Sequence, residues 1–267
     1  MHDLLGRRIN YLRISITDKC NIRCRYCMPA EGIPLRHHSE ILAIEQFLQV
    51  AQVGAELGIT KVRLTGGEPL VRKGVLQLVR GLGRIPTLTK IGMTTNGILL
   101  PPVAQELYDA GLTSLNISID SLDAERYSHI TRGGELDAAL DGVFAAQEVG
   151  FRDIKINKVV TGDPQDRDDE IALREFCEQR GFHLQRIAEY SLSEEKRDAI
   201  GVERPLPCAE CNRIRLLSNG NLKPCLHSNE EVPIDWNDVA GSLRRAVLLK
   251  PERGTVCNNR SMVEIGG

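Results

Sequence analysis

Over the first 188 residues, short β-rich runs alternate with amphipathic helical runs, and this alternation restricts the fold more than any other feature. Strands are predicted at Tyr11–Thr17, Lys61–Thr65, Thr89–Thr95, Ser114–Ile119, Asp153–Val160 and Phe182–Ala188. Helices are predicted at Ile44–Leu57, Val75–Leu82, Pro101–Ala110, Leu136–Glu148 and Asp168–Gln179. In the first helix Phe47, Leu48, Ala51, Ala55 and Leu57 fall on one stripe, and Gly58 follows as a stop signal. Strand, helix, strand implies parallel pairing through right-handed crossovers. Six such units make either an open doubly wound sheet or a curved partial barrel. Polar motifs fall at the ends of successive strands: Thr65-Gly66-Gly67-Glu68-Pro69, Thr94-Thr95-Asn96-Gly97 and Ser118-Ile119-Asp120-Ser121. Both architectures put their sites there, but only a barrel brings all those loops to one mouth. The expected fold is α/β, a partial (β/α)6 TIM-like barrel spanning residues 1–190.

After Glu189 the texture changes. Ser191–Arg204 is charged, lacks a steady period and runs into Pro205-Leu206-Pro207, so 191–207 reads as a linker. Residues 208–267 carry a predicted hairpin (Ile214–Leu217 and Asn221–Lys223) and a helix near Ser242–Leu249. This small C-terminal domain has too few apolar residues for a core of its own, and must dock or lean on a metal.

A length of 267 residues suits one large domain with an appendage. Lys plus Arg number 34 and Asp plus Glu 36, a net charge of −2, so no basic field calls for nucleic acid. No apolar stretch approaches the ~18 residues that cross a bilayer, and Met1–Arg8 lacks the apolar core of a secretory signal. A cytoplasmic protein without membrane or nucleic-acid partners is expected.

Eight cysteines break the ordinary composition. Cys20, Cys24 and Cys27 form one group, Cys208, Cys211 and Cys225 another, while Cys177 and Cys257 stand alone. In a reducing compartment clustered thiols read as metal ligands before disulfides. The uneven first spacing, with no fourth cysteine nearby, fits a [4Fe–4S] cube held at three irons, its fourth iron open to a chelating molecule. Structural zinc needs four closed ligands, which here would require a distant thiol, His37 or His38. For the second group both readings stand, because His227 can complete a Cys3His zinc site. The intervening Asn212, Arg213 and Arg215 look suited to anions. Arg213 and Arg215 are one residue apart on an extended segment and therefore share a face.

The CxxxCxxC spacing with Tyr26 before the third cysteine resembles the radical S-adenosylmethionine superfamily, and Gly66-Gly67-Glu68-Pro69 resembles its glycine-rich turn. The likeness narrows further. Leu12 through Pro29, Arg63 through Leu70, Thr94 through Gly97, Asn116 through Asp123, Cys208 through Arg215, Lys223 through Leu226 and the Arg260–Gly267 tail together resemble the GTP 3′,8-cyclase family, also called molybdenum cofactor biosynthesis protein A. That resemblance implies a lyase with two [4Fe–4S] clusters, each on three cysteines. The first cluster cleaves S-adenosylmethionine to a 5′-deoxyadenosyl radical, which takes hydrogen from ribose C3′ of GTP before C3′ closes onto guanine C8. The second cluster anchors the guanine. By the same matching Tyr26, Gly67 and Ser118 line the S-adenosylmethionine site, and Arg13, Arg63, Thr94, Lys155, Arg213 and Arg215 hold GTP. The basic set also stands on its own: the sequence has no GxxxxGK[ST] loop, and a triphosphate needs cations. The resemblance also implies that the Gly266-Gly267 end, which alone would read as a frayed terminus, threads toward the site, where only glycine passes closely.

A reducing electron donor is an implied partner, and a homodimer is left open. The chain departs from the family in being short between Tyr190 and Cys208, in Ser191 where a methionine is usual, and in Glu210 between two cluster cysteines. Cys177 reads as a small buried hydrophobe on a helix, Cys257 as a spare thiol, and Met28 as packing beside the first cluster. Two rival readings are a peptide-modifying radical enzyme with an auxiliary cluster and a non-catalytic protein with two metal sites.

Overall fold

A computed structural model describes residues 1–196, 201–203 and 206–266. Residues 197–200, 204 and 205 of the expected linker and Gly267 of the tail lie outside the described residues. Six parallel strands, β1 (Tyr11–Ser15), β2 (Lys61–Thr65), β3 (Lys90–Thr95), β4 (Ser114–Ser118), β5 (Asp153–Val160) and β6 (His183–Ala188), stand in sequence order across the sheet. A doubly wound sheet would reverse direction at a switch point, and this order has none. Right-handed crossovers then leave every helix on one face and the opposite face hollow, which is a partial (β/α)6 barrel.

The crossover helices are α1 (Ile44–Glu56), α2 (Val75–Gly83), α3 (Ala104–Asp109), α4 (Ala124–Thr131), α5 (Leu136–Glu148) and α6 (Asp166–Arg180). The predicted helix over Pro101–Ala110 is a 3-10 turn at Pro101–Val103 followed by the short α3, since consecutive prolines cannot donate to a helical ladder. The sequence reading missed α4. Only Tyr127 and Thr131 of that helix are buried, so it lacks an apolar stripe. Its start is fixed by Asp123, whose Oδ1 accepts from Arg126 N at 2.7 Å.

Alternation along the strands divides the sheet. Leu12, Ile14, Val62, Leu64, Ile91, Met93, Leu115, Ile117, Ile154 and Ile156 join the core with helix residues such as Phe47, Leu78, Leu107 and Leu173. Each fully buried side chain of this kind contributes about 1.5–3 kcal/mol. Their neighbours on the strands, among them Arg13, Arg63, Thr94, Asn116 and Lys155, turn to the hollow face.

The sheet continues past the boundary expected near residue 208. Strand β7 (Arg213–Leu216) lies parallel beside β1, and β8 (Asn221–Lys223) and β9 (Val232–Pro233) extend the edge antiparallel. The chain then forms α7 (Val239–Leu248) and a final turn, α8 (Met262–Ile265). A second small core of Leu192, Leu217, Cys257 and Ile265 pins the segment after β6 to the tail. Cys177 is buried on α6 in the main core. Among the described residues no helix is long and apolar enough to cross a membrane.

Candidate active site

The hollow face of the sheet carries two rows of cations. Register places Arg13 directly beside Arg63 on β2 and Arg215 on β7. Two residues earlier, Tyr11 pairs with Lys61 and Arg213, and Lys61 with Lys90. Adjacent strands are about 4.8 Å apart, so these positive side chains crowd one another. Burial, then repulsion from Arg215, pulls the Arg13 pKa well below its ordinary value, and burial, then Arg213, lowers that of Arg215. Although burial pushes the Tyr11 phenol up, the Arg63 and Arg13 charges bring it down to about 8. Among the described residues no carboxylate pairs with Arg63, Arg213 or Arg215. Arg63 spends its donors inside the protein, from Nε to Tyr11 Oη at 2.8 Å and from Nη1 to the Met93 carbonyl at 2.9 Å.

Two contiguous lobes open above this face. The larger, about 350 Å³, is lined by Arg13, Arg63, Thr94, Lys155, Arg213 and Arg215 and by Cys208, Cys211 and Cys225. The smaller, about 160 Å³, is lined by Cys20, Cys24, Cys27, Tyr26, Gly67 and Ser118. Thr94, Asn157, Ile187 and Tyr190 belong to both. The fold thus lines one hollow with the residues assigned from the resemblance to the S-adenosylmethionine and GTP sites, with a thiol group in each lobe.

The smaller lobe is acidic at its base. Glu68 accepts from Thr95 Oγ1 at 2.8 Å, Asn96 N at 2.7 Å and Leu70 N at 2.9 Å. Burial outweighs these bonds and pushes its carboxyl up to about 7. Asp120 accepts from Tyr26 Oη and from Val159 N, both at 2.7 Å, and burial likewise raises its pKa. Glycine is required in the turn before Glu68. A side chain at Gly66 or Gly67 would run into the carbonyl oxygens of Thr17 and Lys19, and Gly66 sits at φ +140°.

The tail closes both lobes. Met262 and Val263 line the smaller one, where Tyr190 Oη reaches Met262 Sδ at 3.9 Å. The Gly266 carbonyl accepts from Arg215 Nη1 at 2.7 Å and Arg13 Nη2 at 3.2 Å. At φ +71°, a Cβ on Gly266 would collide with Thr65 Oγ1.

The thiol groups fit an iron–sulfur cofactor by their chemistry. Burial, then the neighbouring Cys27 and Asp120, drives the Cys24 thiol far above its usual range, and burial and Asp120 push Cys27 up to about 12. Packed thiols of this kind ionise only when a cationic centre binds them. In the larger lobe burial pushes Cys211 up, but Lys250 and Arg213 outweigh it and bring the thiol down to about 6. His227 is buried beside Tyr190, the two rings tilted at 48° with centroids 5.1 Å apart.

Several residues lining the hollow were not singled out from the sequence. Lys61, Asn116, Asn157 and Gln185 all sit on strands, and the first three lie two positions from residues that were, so the strand period would have found them. Lys196 and Lys250 arrive from outside the barrel and carry no such local signal, whereas His227 was already marked by its place two residues after Cys225.

A family model for the radical SAM superfamily matches residues 14–177, the span that holds the first thiol group and the glycine turn. Fold and site together define a protein of that class. The GTP 3′,8-cyclase of Alkaliphilus metalliredigens is 39% identical over 320 residues, with the whole of both chains covered. That of Peptoclostridium acidaminophilum is 42% identical over 287 residues, covering 91% of this chain and 86% of the relative. The chain belongs to the GTP 3′,8-cyclase family. Its alignment with the first relative runs to 320 positions against 267 residues here, so that relative carries segments this chain lacks. Among solved structures, Streptococcus suis SuiB bound to S-adenosylmethionine shares the fold, with a TM-score of 0.67 at 16% identity over 89% of this chain and 68% of that one. So does anSMEcpe with bound AdoMet, with a TM-score of 0.65 at 13% identity over 91% of this chain and 81% of that one.

Proposed function

We propose that this chain is a lyase that cyclises GTP to (8S)-3′,8-cyclo-7,8-dihydroguanosine 5′-triphosphate, the first step of molybdenum cofactor biosynthesis. The observation that carries the reading is the double row of cations on β7, β1, β2 and β3, facing a second thiol group within the hollow that also holds the first. At an effective dielectric near 20, a close charge pair is worth about 4 kcal/mol before desolvation, so a triphosphate offsets the mutual repulsion of these groups. A peptide-modifying enzyme has no use for such a set.

In this reading Cys20, Cys24 and Cys27 hold one [4Fe–4S] cluster and Cys208, Cys211 and Cys225 a second. When bound on Cys20, Cys24 and Cys27, the first cluster would supply the one-electron reduction that activates S-adenosylmethionine, the electron coming from an external reductant. Tyr26, Gly67 and Ser118 hold S-adenosylmethionine, Glu68 fixing the turn that carries Gly67. Arg13, Arg213 and Arg215, with Lys155 and Thr94, bind the nucleotide, and Arg63 braces the sheet under it. The tail excludes water from both lobes.

The test is anaerobic reconstitution with iron, sulfide, S-adenosylmethionine, dithionite and GTP. GTP-dependent formation of 5′-deoxyadenosine and a cyclised nucleotide is expected. Turnover that ignores GTP would end the reading, and a colourless protein holding zinc without sulfide would favour a structural metal role.

A further inference from the structure

Two buried lysines point at the second thiol group. Lys196, 8% exposed, donates from Nζ to the Leu206 carbonyl at 2.8 Å and to Cys208 Sγ at 3.2 Å. Its backbone is tied to the other side of the lobe, the amide donating to the Thr255 carbonyl at 3.2 Å and the carbonyl accepting from Arg253 Nη2 at 3.3 Å. Lys250, 6% exposed, follows α7 and donates from Nζ to the carbonyls of Arg213 at 2.8 Å and Pro224 at 2.9 Å. Those two carbonyls sit two residues after Cys211 and one before Cys225, so the ammonium is fixed between two of the three thiols.

A buried ammonium is costly unless an anion compensates it. Among the described residues no carboxylate pairs with Lys250. The thiol group is therefore the anion that its charge serves. The first group has the opposite surroundings, with Glu68 and Asp120 lining its lobe. Net charge and hydrogen bonds to sulfur set the potential of an iron–sulfur cluster, because each favours or opposes the more negative reduced state.

We propose that Lys250 and Lys196 hold the reduction potential of the second cluster above that of the first, acting as positioning residues that supply charge and hydrogen bonds to its sulfur ligands. This rests on the reading that the second thiol group carries a cluster. Exposed Glu210, between Cys208 and Cys211, acts in the opposite sense and across solvent, so the two buried ammoniums dominate.

The experiment is a redox titration of the reconstituted full chain followed by electron paramagnetic resonance. It compares wild type with Lys250→Met, Lys250→Arg and Lys196→Met, each also in a Cys24→Ala background that lacks a ligand for the first cluster. Both Met variants should move the second cluster's midpoint to more negative potential, Lys250→Met further, while Lys250→Arg stays near wild type and the first cluster does not move. Unchanged midpoints in both Met variants at full iron content would overturn the proposal. If Lys250→Met assembles poorly, Lys196→Met alone decides. A wild type with about four irons per chain instead of about eight would sink the two-cluster reading itself, and this proposal with it.

Discussion

The two thiol groups share one hollow and almost opposite electrostatics. Around Cys20, Cys24 and Cys27 the buried charged side chains are the carboxyls of Glu68 and Asp120. Around Cys208, Cys211 and Cys225 they are Arg215, Lys196 and Lys250, with half-buried Arg13 and Arg213 beside them. S-adenosylmethionine carries a sulfonium and GTP a triphosphate, so the lobes are matched in sign to a cation and a polyanion respectively. Shape alone would not separate them, since Thr94, Asn157, Ile187 and Tyr190 serve both. In the proposed reading, charge is what directs each ligand to its end.

The strongest way to break this division is to remove the cations. Truncating one partner of a buried charge pair costs about 2–5 kcal/mol. Arg213→Ala combined with Arg215→Ala should therefore weaken GTP binding by about 4 kcal/mol, roughly a thousandfold in Kd. S-adenosylmethionine binding should change little. Equilibrium dialysis with each ligand measures both, and equal losses for the two would mean that the lobes are not electrostatically distinct.

The acidic lobe is tested through pH. Glu68 is held up to about 7 in the folded protein, against about 4.3 in an unfolded chain. Between those values the folded state binds the extra proton, so stability falls as pH rises and is about 3–4 kcal/mol lower by pH 8. Urea unfolding of the metal-free protein at pH 5 and pH 8 should show this slope, and Glu68→Gln should flatten it. Affinity for the sulfonium should climb through pH 7 as the carboxylate forms. A pH-independent wild type would remove the anionic base on which the comparison depends.

The sequence made much of this legible and hid specific parts. The strands were readable because each alternates, as in Leu12, Arg13, Ile14 and Ser15, or Val62, Arg63, Leu64 and Thr65. The same alternation put Arg213 and Arg215 on one face. It did not say that β7 would lie against β1, placing Arg215 level with Arg13. Parallel pairing across about two hundred residues leaves no local trace. Helix α4 was invisible because its Arg126 makes an ion pair with Asp169 at 2.6 Å and a hydrogen bond to Gln165 Oε1 at 2.6 Å rather than belonging to an apolar stripe. Lys196 and Lys250 look in sequence like solvated surface charges, the usual fate of lysine. Only the docking of the segments after β6 and α7 buries them.

The smallest expected effect concerns the element both lobes share. Arg36, in the loop after the first thiol group, donates from Nη2 to Glu264 Oε1 at 2.7 Å, and its backbone N donates to Asp18 Oδ2 at 2.7 Å. Glu264 lies on α8, directly before the Gly266 that meets Arg13 and Arg215. The pair is about one-fifth exposed on each side, and Glu264 keeps Ser261 N at 2.9 Å and Arg260 Nη1 at 3.2 Å without it. Arg36→Ala should therefore cost global stability no more than about 1 kcal/mol. Locally it unties the tail from the first lobe, so amide exchange over 262–266 should speed up several-fold while the core strands stay protected. Because Met262 and Val263 wall one lobe and the Gly266 carbonyl engages the arginines of the other, both ligands should lose affinity together, by a similar small factor. That joint loss is the reverse of the arginine double variant, which separates the lobes. Loss of only one ligand's affinity, or a tail whose exchange does not change, would show that α8 is held by Arg260 and Glu231 alone.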